Sequence, residues 1–140
     1  MRSLNVYVSS QMTSNPGTMF PGGIIADQNG IIKERYSWDA GYGTNMLVEL
    51  LGVEKGLRLS HNHQSVAINV YCANLPIIEQ LRGTTSIKAP NLVEVYSRIT
   101  ELLKGSNIPV QFQWIPKDGM NTWKGYLHKK GQQRGLSDAQ

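Results

Sequence analysis

Cysteine is almost missing from this 140-residue chain: Cys72 is the only one. An internal disulfide framework is therefore excluded, and a reducing compartment is expected. Charge is sparse too, at 17% against the usual quarter, yet apolar residues reach 40%, so the shortage does not signal disorder. No apolar run approaches the roughly 18 residues that cross a bilayer, which argues against a membrane partner. The opening Met-Arg-Ser-Leu-Asn-Val-Tyr-Val has no signal-peptide core and reads as a strand. The expectation is a soluble, intracellular protein, cytoplasmic or nuclear and not secreted. There is no internal repeat and no low-complexity tract.

What is present suits one domain. The length supports a single core over residues 1–130, followed by a loose tail at 131–140. Fourteen Lys and Arg against ten Asp and Glu leave a net charge of +4, which permits a polyanionic partner without demanding one.

Leu4 to Ser9 alternates as a strand, and Gln11 to Gly22 reads as a loop rich in turn residues. Gly23 to Asp27 and Ile31 to Ser37 read as a hairpin about Gln28-Asn29-Gly30, where Asn-Gly supplies the backbone freedom of the turn. Trp38 to Gly43 breaks the pattern. A helix then starts at Thr44 as N-cap and runs to about Leu59, with Met46, Leu47, Leu50, Leu51 and Leu57 as its apolar stripe. Val66 to Cys72 is a strand in which Val66, Ile68 and Val70 alternate, and Asn74 to Leu81 is a short helix. Leu92, Val95, Tyr96, Ile99, Leu102 and Leu103 mark the strongest helix, with Asn91 as cap and Gly105 as stop. Val110 to Ile115 is the last strand. The order βββαβααβ predicts a mixed α/β sheet: three antiparallel strands, then two parallel ones joined by right-handed crossovers.

These residues resemble the type 1 ribonuclease H family. The resemblance is carried by Val6-Tyr7-Val8, Asn15-Pro16-Gly17, Gly22-Gly23, Asn29-Gly30, the run Thr44 to Leu50, Val66-Ala67-Ile68 and Trp114-Ile115-Pro116, in order from about residue 4 to 118. It implies a ribonuclease H-like fold with a five-stranded mixed sheet. It also implies a site that cleaves the RNA strand of RNA–DNA hybrids with two divalent ions held by four carboxylates.

Carried over position by position, Glu49 is the one carboxylate kept. Ser9 stands at the first-strand Asp, and Tyr71-Cys72 stands at the Asp-Ser pair, with Tyr71 at the Asp. The stretch Asn121 to Gly125 holds no acid, although Asp118 offers itself nearby. Asp39 is expected two strands away from Glu49, and Asp27 at the opposite end of the sheet. The resemblance thus implies a degenerate member with no resident metal, Mg²⁺ entering only with residual nuclease activity. The family's backbone contacts fare better: Asn15 in the Gly-rich loop and Thr44 with Asn45 at the helix N-terminus remain, the same residues also serving as turn and cap.

The C-terminal segment interleaves Trp114, Trp123 and Tyr126 with Lys117, Lys124, Lys129, Lys130 and Arg134. Its lysines suit a nucleic-acid backbone, and Trp114 is expected in the core. His61-Asn62-His63 reads as a polar loop rather than a zinc site. Three functions stay open. The leading one is a catalytically inactive module binding an RNA–DNA hybrid or RNA. The alternatives are a protein–protein scaffold subunit of a polymerase or ribonucleoprotein complex, including a homodimer, and a divalent-metal ribonuclease with a rearranged site. The decayed enzyme site that the resemblance implies fits a viral or mobile-element remnant, and equally a domesticated subunit or an accessory factor.

Overall fold

A computed structural model describes residues 3–119. Its main sheet has five strands in the order β5-β4-β1-β7-β8: β1 (Ser3–Val8), β4 (Gly22–Asp27), β5 (Ile32–Ser37), β7 (Ala67–Cys72) and β8 (Val110–Trp114). β4 runs antiparallel to both β1 and β5, while β7 is parallel to β1 and to β8. This is the mixed sheet expected from the sequence. Three helices connect or cover it: α1 (Asn45–Ser60), α2 (Leu75–Leu81) and α3 (Pro90–Lys104). None of them is long and apolar enough to cross a membrane, among the described residues.

The alternation of β1 explains the layers. Leu4, Val6 and Val8 are buried, and they share the core with Ile25, Ile68, Val70 and Leu57. Helix α1 reaches β1 closely because two of its buried positions are glycines. A Cβ on Gly56 would stand 2.6 Å from Val6 Cγ1, and one on Gly52 would stand 2.9 Å from Val8 Cγ1. The Tyr36 hydroxyl, buried under the helix, donates to the Gly52 carbonyl at 2.7 Å. At the far end, the Asp27 carboxylate accepts from the Asn29 and Ile31 N–H groups at 2.9 and 3.0 Å, and Gly30 takes φ +84° to close the hairpin.

Four local expectations are corrected. The stretch Gln11 to Gly22 is not all loop: β2 (Gln11–Met12) and β3 (Gly17–Phe20) pair with each other, and β3 pairs with β6 (Tyr42–Gly43) as a small second sheet. Short strands at turn-rich sequence carry too little periodicity to show. Asn91 is not the cap of α3; Ala89 is, without a side-chain bond, because Pro90 fits the first turn and holds its predecessor extended. Val66 precedes β7 and is 41% exposed. Trp114 is 47% exposed, since it ends the edge strand β8, and its indole N–H donates to the Ala73 carbonyl at 3.3 Å. The tail read over 131–140 and the aromatics Trp123 and Tyr126 lie outside the described residues.

Helices α1 and α3 are joined by a charge cluster. Glu54, buried on α1, accepts from Arg98 at 2.8 and 3.0 Å and from Arg58 at 2.9 Å. Burial opposes ionisation of Glu54, but the two guanidinium groups outweigh it and hold the carboxyl below its usual range. A Glu54→Gln variant is expected to lose about 2 kcal/mol at neutral pH, read from its urea midpoint. A lowered folded-state pKa contributes stability above the unfolded value of 4.5 and loses it as pH falls through the folded value. The gap between variant and wild type should therefore narrow below about pH 4.5; a gap constant with pH would overturn the assignment.

Candidate functional site

Strands β1 and β7 end side by side, and the first turns of α1 lean over those ends. The result is a cleft of about 430 Å³, lined among others by Ser9, Ser10, Asn45, Glu49, Asn74 and Lys117. The chain reaches it by ordinary local chemistry. Just past β1, the Ser9 N–H donates to the Gly22 carbonyl at 2.9 Å, which keeps the strand end against β4. The Ser10 hydroxyl donates to the Val48 carbonyl and accepts from the Gly22 N–H, both at 3.3 Å, and so joins the strand end to α1. On the other wall Asn74 caps α2, its side-chain oxygen accepting from the Ile77 N–H at 3.2 Å.

Buried behind the cleft, the Cys72 thiol donates to a carboxylate oxygen of the lining residue Glu49 at 3.3 Å. Cys72 is fully buried, and burial, then the charge and hydrogen bond of Glu49, push its pKa well above the ordinary thiol value. The thiol is thus a neutral donor. Two carboxylates so close would repel unless a cation neutralised them; a thiol against a carboxylate needs none.

The donor set does not fit the metal pair implied by the resemblance. Magnesium asks for oxygen ligands, with carboxylates to balance its charge. Among the described residues the cleft offers one carboxylate, Glu49, with the hydroxyls of Ser9 and Ser10 and the amides of Asn45 and Asn74. No group of three or more His, Cys, Asp or Glu is placed to hold a metal among the described residues.

The start of α1 is built from residues the sequence singled out. Thr44 caps the helix, its hydroxyl accepting from the Leu47 N–H at 3.4 Å. The Asn15 side chain crosses from the β2–β3 turn to accept from the Asn45 N–H at 3.1 Å. Asn15, Thr44 and Asn45 therefore form one exposed corner beside the cleft.

Two assignments change, those of Tyr71 and Asp118. Tyr71 does not face Glu49. It points to the opposite side of the sheet and stacks on Tyr7 with ring centroids 5.0 Å apart and planes 12° from parallel. Cys72 is the β7 residue at the site, and the sequence carried the signal: alternation from Ile68 and Val70 places Cys72, not Tyr71, on the helix side. After β8, Lys117 lines the cleft and Asp118 does not. Asp39 accepts from the Gly41 N–H at 2.9 Å, away from the cleft. Arg82 donates to the Phe112 carbonyl at 2.8 Å, so its guanidinium is tied to β8. His61 and His63 line a separate hollow with Leu4 at the opposite end of β1, and His63 bonds Glu34 at 3.0 Å. Lys124, Lys129 and Lys130 lie outside the described residues.

Residues 5–122 match the family described as reverse transcriptase-like. The fold is similar to RNase H1 from the halophilic archaeon Halobacterium salinarum, with a TM-score of 0.81 at 19% identity over 91% of this chain and 96% of that one. LC11-RNase H1, isolated from compost by a metagenomic approach and solved in complex with an RNA/DNA hybrid, gives 0.81 at 21% identity over 90% of this chain and 94% of its own. A foamy viral protease-reverse transcriptase in complex with an RNA/DNA hybrid gives 0.68 at 12% identity, over 91% of this chain and 19% of that one. No curated protein sequence matches the chain. At these identities the likeness is one of fold, and it fixes the architecture as ribonuclease H-like.

Proposed function

The chain belongs to the reverse transcriptase-like family, and from that premise we propose that it is a degenerate type 1 ribonuclease H-like domain that binds nucleic acid without cutting it. The ligand is the sugar–phosphate backbone of an RNA–DNA hybrid or of RNA. One observation carries the loss of cleavage: Glu49 is satisfied by the protonated thiol of Cys72 where metal-dependent chemistry needs a second carboxylate. Binding is supported by what stands around that pair. Asn15, Thr44 and Asn45 offer polar groups at the positive end of α1, and Lys117 adds a cation on the cleft. Hybrid-bound relatives of the same fold make a duplex backbone the first ligand to try.

The test is fluorescence anisotropy of a labelled RNA–DNA hybrid over a range of salt. A dissociation constant of about a micromolar or tighter, with affinity falling steeply as salt rises, is the expected result. No binding at low salt overturns the reading in favour of a protein partner. A Mg²⁺-dependent cut of the hybrid that Glu49→Gln abolishes overturns it in favour of a ribonuclease with a rearranged site.

A further inference from the structure

The cleft contains a cation of its own. Lys117, in the segment after β8, lines the same hollow as Glu49, Ser9 and Asn45, and the Cys72 thiol donates to Glu49 from the buried side. Among its described lining residues the cleft sets one carboxylate, Glu49, against one ammonium, Lys117, so these residues carry no excess negative charge for a divalent ion to offset. We infer that Lys117 takes the electrostatic place of the divalent ions, so that this cleft holds a backbone phosphate by a side-chain ammonium and needs no metal. The inference rests on the nucleic-acid-binding reading and adds to it which charge receives the phosphate.

The physical chemistry is direct. Lys117, Asn45 and Ser9 all line the cleft that a phosphate would enter, and an ammonium and an amide both donate to phosphate oxygens. An ammonium is a point charge on a flexible stem and can follow a phosphate without the rigid geometry that Mg²⁺ demands. Glu49 carries a like charge on the same cleft, and Cys72 is one of its partners.

The hybrid is titrated in EDTA and in Mg²⁺, with the full chain and with Lys117→Ala and Glu49→Gln. Lys117 is exposed, so its loss leaves the core intact. The expected result is an affinity in EDTA at least as high as in Mg²⁺, because Mg²⁺ acts here only as a competing counterion. Lys117→Ala should weaken binding about tenfold and reduce the slope of log affinity against log salt by about one. Glu49→Gln should tighten binding roughly threefold, because a like charge is removed from beside the phosphate. Binding in Mg²⁺ that disappears in EDTA, or a Lys117→Ala variant with wild-type affinity and slope, overturns the role of Lys117 and leaves nucleic-acid binding standing. No binding in either buffer overturns both.

Discussion

Replacing Ser9 and Cys72 together by Asp is expected to create a response to divalent cations that the wild-type chain does not show. The two residues sit at the ends of neighbouring parallel strands, and Cys72 already touches Glu49 across 3.3 Å. Two added carboxylates beside Glu49 would form a three-acid cluster with mutual repulsion and, at position 72, full burial. Without metal the double variant should therefore unfold well below wild type. Divalent manganese at ten times its dissociation constant would return about 1.4 kcal/mol, or roughly 4 °C of thermal midpoint. Wild type should move by less than about 1 °C under the same conditions. A calorimetric scan of both proteins, with and without the ion, reads the difference. A wild-type midpoint that rises as much as the variant's would mean that the native residues already hold a cation, and the description of this cleft would be wrong.

The second large effect is on stability, and its sign reverses what helix propensity predicts. Gly56→Ala inside a helix normally gains about 1 kcal/mol. Here the new methyl would stand 2.6 Å from Val6 Cγ1 and 2.6 Å from the Tyr36 hydroxyl. Overpacking of that kind costs about 1–3 kcal/mol, and a displaced Tyr36 would also surrender its hydrogen bond to Gly52, worth about 1 kcal/mol. The net expectation is a loss of about 2 kcal/mol, seen as a lower urea midpoint with an unchanged slope. Gly105→Ala is the control. A Cβ there meets nothing nearer than 3.5 Å, so its effect should stay within about 0.5 kcal/mol. A stabilised Gly56→Ala variant would show that α1 does not lie as close to β1 as described.

Function and stability meet in this helix. Gly52 and Gly56 let α1 approach the sheet, and the approach brings Glu49 to the end of β7 and the α1 start over the end of β1. The cleft is therefore a product of close packing as much as of the residues that line it.

Much of this was determined by the sequence itself. Alternation fixed which residues of β1 and β7 face the core, because side chains on a strand take opposite sides in turn. The Thr44 cap, the Asn-Gly hairpin and the period of α3 are local signals, each read within a few residues. The replacement of family carboxylates was equally legible, since it needs only residue identity at matched positions. Tertiary structure alone decided the rest. The Cys72 thiol met the Glu49 carboxylate, 23 residues earlier in the chain, because α1 packs across the end of β7. Asn15 reached α1 through a hydrogen bond across thirty residues of sequence. Lys117 came to lie on the same cleft as Glu49, and Asp118 did not, because the path of the chain after an edge strand is set by packing and carries no periodicity to read.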